Sequence, residues 1–156
     1  MTASTIGPAR FDEAETLTGM IRNSSAYHGE HRVMVANQTV DRPYIEANLV
    51  RVARGADGVA LGFYSVLVPG CGAPGEGEVD FMFVDDDAQG RGIGRALIED
   101  LRVQAAALEL TRVHVVSHPP SEAFYLACGA HRIGMSPPVG RVTWARPHLV
   151  VDIAER

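Results

Sequence analysis

Lysine is missing from this chain: all 14 basic residues among its 156 are arginine. That excludes a Walker-type phosphate loop, whose lysine reaches the phosphates, and it excludes a Schiff-base lysine or acylation of the protein's own lysine side chains. Cysteine is nearly as scarce, with only Cys71 and Cys128. Cys71 sits in a Gly/Pro loop and Cys128 in a different context. Neither gives a disulfide framework or metal-ligand spacing, and both are expected to be reduced thiols, Cys128 packing on a helix. The histidines at 28, 31, 114, 118, 131 and 148 show no zinc spacing, although His28 and His31 are three apart. No metal is expected.

Long apolar runs are absent as well. No stretch approaches the roughly 20 residues needed to span a bilayer, and "MTASTIGPARFDE" lacks a basic region followed by an apolar one. The expectation is a cytoplasmic protein without membrane contact. A net charge of −5 with no basic run argues against nucleic acid as a partner. What is present is an ordinary globular composition, 46% hydrophobic and 21% charged. The length suits one domain over residues 1–156.

Periodicity supplies the element order. An apolar start near Ile6 precedes a helix over 11–21, with Phe11, Ala14, Leu17 and Ile21 at helical spacing. Residues 22–41 mix His, Asn and Gly without a clear period, and Pro43 then opens a helical turn at "RPYIEANL". Residues 50–68 read as two strands around an Asp-Gly turn between Gly55 and Gly58, followed by the loop "PGCGAPGEG". In the strand "EVDFMFV", alternation assigns Glu78, Asp80, Met82 and Val84 to one face and Val79, Phe81 and Phe83 to the other. A helix over 92–110 follows, burying Ile93, Leu97, Leu101, Ala105 and Leu108. "RVHVVS" reads as a strand, "SEAFYLACGA" as a short helix stopped by Gly129, and "RPHLVVDI" as a closing strand, with 134–147 a surface loop.

The stretch "DDDAQGRGIGRALIEDL" carries the chemistry. A strand ending at Val84, a glycine-rich turn and a helix N-terminus make an anion site, because free N–H groups converge there and the helix dipole adds positive charge. Gly90, Gly92 and Gly94 let the main chain approach an anion, and Arg91 and Arg95 can add charge-assisted bonds. The natural guest is a pyrophosphate. A dinucleotide fingerprint fails on spacing, since the sixth place from Gly90 is Arg95 and from Gly92 is Leu97. The acids Asp85, Asp86 and Asp87 read as helix N-terminal complement rather than metal ligands.

The remaining pattern, Gln89-Gly90-Arg91-Gly92-Ile93-Gly94, resembles the Q/R-x-x-G-x-G/A signature of the GNAT superfamily of acetyl-CoA-dependent N-acyltransferases. "SEAFYLACGA" is similar to the family's short helix, with Tyr125 in the place of its tyrosine and Gly129 four residues later. In element order the resemblance covers about residues 6–153, and its specific residues lie within 78–130. His118, Ser121 and Asp86 stand where the family often has Asn, Ala and Pro.

The resemblance implies an α/β (α+β) fold whose mixed, mostly antiparallel sheet is splayed between the fourth and fifth strands and flanked by helices. It implies acetyl-CoA as co-substrate: the backbone of Phe83 and Val84 would pair with the pantetheine arm, and Gln89, Gly90, Arg91, Gly92, Ile93, Gly94 and Arg95 would wrap the pyrophosphate. Glu78 resembles the glutamate that some members use as a base, with Asp80 second and His118 an alternative. Each carboxylate equally suits a structural place, as a solvated group or an ion pair. Tyr125 resembles the residue that protonates the departing thiolate, and the Val84 N–H the group that stabilises the carbonyl oxygen. The implied activity is acetyl transfer to a primary amine of a small molecule or peptide through a ternary complex. The alternatives are a non-catalytic acyl-CoA-binding sensor of the same fold, or an acyltransferase for longer chains or oxygen acceptors. A homodimer is the one protein partner the reading leaves open.

Overall fold

The computed structural model describes residues 4–153 apart from 26 and 28. Its strands are β1 (Thr5–Pro8), β2 (Leu49–Arg54), β3 (Ala60–Leu67), β4 (Gly77–Val84), β5 (Arg112–Val116), β6 (His131–Ser136) and β7 (Arg146–Asp152). They form one seven-stranded sheet in the order β1-β2-β3-β4-β5-β7-β6. Every neighbouring pair is antiparallel except β4 and β5. The helices are α1 (Ala14–Arg22), α2 (Arg42–Ala47), α3 (Ile93–Ala107) and α4 (Glu122–Ala127). Among the described residues, no helix is long and apolar enough to cross a membrane.

Local chemistry sets the boundaries. At α2 the Asp41 side chain accepts from Tyr44 N at 2.9 Å, and a proline lies in the first turn where its missing N–H costs nothing. The β2–β3 turn closes with Gly55 N to Val59 O at 3.0 Å, and Asp57 Oδ1 accepts from Val59 N at 3.1 Å. Gly129, at φ +97°, ends α4 in the left-handed conformation that the sequence anticipates.

Each face of the sheet has its own core. On one, Leu97, Ile98, Leu101 and Ala105 of α3 pack with Tyr64, Val66, Val79, Val113 and Val115. On the other, Leu17, Met20 and Ile21 of α1 pack with Val50, Val52, Phe63, Phe81 and Phe83. Burying a side chain of this size contributes about 1.5–3 kcal/mol, so helical periodicity translates directly into attachment to the sheet. A partly buried ion pair ties α3 across its strands: Arg51 grips Asp100 through Nε and Nη2 at 3.0 Å each, and Tyr64 Oη donates to the same carboxylate at 2.6 Å.

Three expectations are corrected. The long helix ends at Ala107, Leu108 is 51% exposed, and the chain turns at Glu109 (φ +61°) to bury Leu110 instead. The loop expected from residue 134 is a strand as far as Ser136. Its pattern is obscured because β6 is an exposed edge with a register shift between Arg132 and Gly134. In β4 the pairing passes from Ser65↔Phe81 to Val66↔Val79, leaving Asp80 as a bulge. The bulge reverses the phase of the alternation. Val79 therefore joins the core that Met82 and Val84 pack against, while Phe81 and Phe83 belong to the opposite one.

The parallel pairing of β4 and β5 is confined to Gly77↔Val113 and Glu78↔His114. Beyond that point the strands part, and the opening lies at the carboxyl ends of both.

Candidate active site

The open edge of β4 is defined by where its peptide groups point. Phe81 N donates to Ser65 Oγ at 3.1 Å and Asp85 N to Leu61 O at 2.8 Å, both toward β3. Alternation along an extended chain turns Phe83 the same way and leaves the N–H and C=O of Met82 and Val84 facing the gap. Gln89 Nε2 meets Val84 O there at 3.3 Å. The gap can thus pair with an extended, amide-bearing chain through Met82 and Val84. By the same alternation the N–H of Phe83, expected to face the gap, turns toward β3, and its ring lies 5.3 Å from that of Tyr27.

At the end of this edge lies the glycine turn. Gly90 (φ +81°) and Gly92 (φ +78°) occupy the left-handed region, with open space where a Cβ would stand. Gly92 is the N-cap of α3, so no side chain caps the helix, and no acidic residue lies in the first turn. The first-turn N–H groups and the positive end of the dipole are uncompensated, and Arg95 adds like charge to them. An anion bound there is stabilised by both the free N–H groups and the dipole. Gly94 serves a different purpose: a Cβ there would come within 3.0 Å of Phe124 Cε1, so its absence lets α3 pack against α4. Arg95 Nη2 reaches Ala127 O at 3.2 Å, and Arg91 Nη2 reaches Asp87 O at 3.3 Å. Among the acids before the turn, Asp85 Oδ1 accepts from Asp87 N and caps its own 3-10 turn, and Asp86 takes bonds from Ser25 N and Oγ.

These parts line one cavity of about 400 Å³, bounded by Met82, Phe83, Val84, the turn from Gln89 to Arg95 without Arg91, and Tyr125. Tyr125 is 7% exposed, and burial, then the neighbouring Tyr27 and Cys128, push its phenol above its ordinary pKa. Cys128 is buried in the core as expected.

A second cavity of about 160 Å³ holds Glu78 and Asp80 with Gln38, Val116 and Arg146. Both carboxylates share this cavity, with the Phe81–Phe83 face rather than with Met82 and Val84. Asp80 accepts from Tyr44 Oη at 2.5 Å, and Tyr44 also meets Ser65 Oγ at 2.7 Å. Burial and then the Asp80 bond raise the Tyr44 pKa, so its proton stays on and orients Asp80. Glu78 Oε1 accepts from Cys71 N at 2.9 Å. Tyr27 and Phe83 line both cavities, so the two spaces adjoin across this pair. Tyr27 stacks on His118 at 3.9 Å, and burial pushes its phenol up to about 12. His118 is 1% exposed behind that stack and lines neither cavity. His28 lies outside the described residues.

Sequence reasoning missed Tyr27, which comes from a segment without periodicity, and Tyr44, which lies in the short turn opened by Pro43. It also missed that Cys71, His114 and His148, far apart in the chain, have ligand atoms within 4.8 Å of one another.

A splayed sheet, an open strand edge and an uncapped helix start at its mouth make a cleft that suits an extended, amide-bearing chain ending in an anion. The model of the Acetyltransferase (GNAT) family matches residues 25–130, and the chain belongs to that family of acetyltransferases. Its sequence is 33% identical over 102 residues to a mycothiol acetyltransferase of Clavibacter michiganensis, a match covering 64% of this chain and 30% of that protein. The chain therefore spans about a third of that relative. Among solved structures, it is similar to a GCN5-related N-acetyltransferase of Rhodopseudomonas palustris, with 20% identity, TM-score 0.76 and 98% of each chain covered. It is also similar to a Salmonella typhimurium protein solved with its cofactor acetyl-CoA, with 18% identity, TM-score 0.73 and coverage of 99% of this chain and 96% of that one.

Proposed function

We propose that this protein is a cytoplasmic enzyme that transfers the acetyl group of acetyl-CoA to a primary amine of a small molecule or peptide, by direct attack within a ternary complex. The observation that carries the proposal is the meeting of two cavities at Tyr27 and Phe83, one ending in the glycine turn and the other holding two carboxylates.

The first-turn N–H groups of α3, with Arg95, hold the diphosphate. The open edge of β4 at Met82 and Val84 aligns the pantetheine arm, and the Val84 N–H faces the carbonyl oxygen as negative charge develops on it. An amine free in water at pH 7 is mostly protonated, so a base must accept its proton before attack. Glu78 takes that role directly or through water, and Asp80, oriented by Tyr44, attracts the ammonium form. Tyr125 donates to the departing thiolate. Its raised pKa does not forbid this, because a thiolate released beside it in the same dry cavity also gains basicity from desolvation. The remaining acceleration comes from holding amine and thioester in line.

Thiol release from acetyl-CoA, measured across an amine panel, tests this reading. The native protein turns over with at least one amine. Tyr125→Phe lowers kcat by about 10²-fold, as loss of a general acid does, while CoA affinity by calorimetry stays within about twofold. CoA binding with no turnover across the panel would replace the enzyme by an acyl-CoA sensor.

A further inference from the structure

Outside the two cavities, three separate segments converge on one spot. Cys71 comes from the loop between β3 and β4, His114 from β5 and His148 from β7. In the β5–β7 register, His114 faces Val150 and His148 faces Val116, so the two histidines are diagonal neighbours on one sheet face. Their Nδ1 and Nε2 atoms are 2.9 Å apart, and Cys71 Sγ completes a set within 4.8 Å.

The surroundings suit a cation. Glu76 Oε1 lies 2.8 Å from His114 Nε2 and accepts its proton, which leaves the Nδ1 lone pair directed at His148 and Cys71. A carboxylate bonded to the far nitrogen of a histidine is the arrangement that fixes tautomer and ring orientation in metal sites. Glu76 is held in turn by Ala73 N at 3.0 Å and lies 3.5 Å from Arg112 Nε. Glu78, bonded to Cys71 N, brings a second carboxylate to the cluster. Gly70, at φ +61°, has no room for a Cβ, which would lie 2.5 Å from Glu78 Cβ, so the loop is drawn tightly over this end of β4.

We propose that Cys71, His114 and His148 bind a borderline-soft divalent cation of the zinc class, with Glu76 as the outer carboxylate and the fourth position open to water. Two nitrogens and a thiolate are the donor set such cations favour, and a set in which magnesium or calcium binds poorly. Tetrahedral ligation with metal–nitrogen bonds near 2.0 Å needs nitrogens about 3.3 Å apart. The imidazoles must separate by a few tenths of an ångström and the sulfur swing inward, both within reach of side-chain rotation. Cys71 is exposed, His148 half-buried and His114 buried, which gives the ion a path from solvent to the inner ligand. The bound cation would pin the loop before β4 to β5 and β7, across the only stretch where β4 and β5 remain paired.

Cobalt(II) titration of the untagged, chelator-treated protein provides the test. One equivalent per chain is expected to give the visible bands of tetrahedral cobalt and a near-ultraviolet thiolate-to-cobalt band. Cys71→Ser abolishes the near-ultraviolet band, Cys128→Ser keeps it, and Glu76→Gln weakens binding by about 10- to 100-fold with the spectrum retained at saturation. Circular dichroism verifies that each variant is folded. Absence of a stoichiometric cobalt spectrum, or a band that survives Cys71→Ser, overturns the proposal. CoA calorimetry on the same samples reads the other cavity, so either proposal can fail alone.

Discussion

Gly92 sits where backbone conformation and anion binding coincide. With φ at +78°, any side chain bears the left-handed cost of about 1–2 kcal/mol even though the space around it is open. Gly92→Ala is therefore expected to weaken CoA binding by about tenfold in calorimetry, and Gly92→Asn, which tolerates this region better, by less. Gly94→Ala acts elsewhere: its Cβ meets Phe124, next to Tyr125, so kcat falls more than CoA affinity does. Equal losses of affinity at both positions would contradict this division of labour.

At the scale of elements, the ties that hold helices to strands are charged as well as apolar. Glu13, just before α1, accepts from Arg54 of β2 at 2.6 and 2.8 Å and from Arg10 N at 2.8 Å. Burial alone would raise its pKa, but the Arg54 bond, the Arg10 N–H and the Arg54 charge outweigh it and hold the carboxyl below its ordinary 4.5. A depressed folded-state pKa contributes stability that is present above about 4.5 and is lost as pH falls through the folded value. Urea midpoints of the native protein are expected to decline below that pH. Glu13→Gln should be less stable at pH 7 and show a shallower decline. Elements were legible in the sequence wherever one period ran unbroken, as in α1, α3 and the β2–β3 hairpin. The glycine turn and Tyr125 could be singled out because the motifs that carry them are local, and both line one cavity. The bulge at Asp80 was not, because it depends on which residues of β3 lie opposite. Nor was Tyr27, whose importance comes only from the strands that part beneath it, nor the meeting of Cys71 with His114 and His148, which only the β5–β7 register creates.

At the scale of the whole molecule, the proposed function places both substrates together in the two adjoining cavities. Under the proposed direct attack no acetyl-enzyme is expected, and initial-velocity plots against both substrates should intersect rather than run parallel. Parallel lines, or acetyl-protein trapped by acid quench, would point to a two-step route. The separation of β4 from β5 also bears on donor choice. Met82 and Val84 present donors and acceptors to the gap where β4 and β5 part, so the sheet has room there for one more extended chain. On the proposed function, a thioester with amides spaced like peptide bonds would supply that missing chain, whereas an equally reactive thioester on a plain alkyl tail would leave those groups to solvent. Discrimination among acyl donors would then be written into main-chain geometry, where side-chain substitution cannot easily erase it.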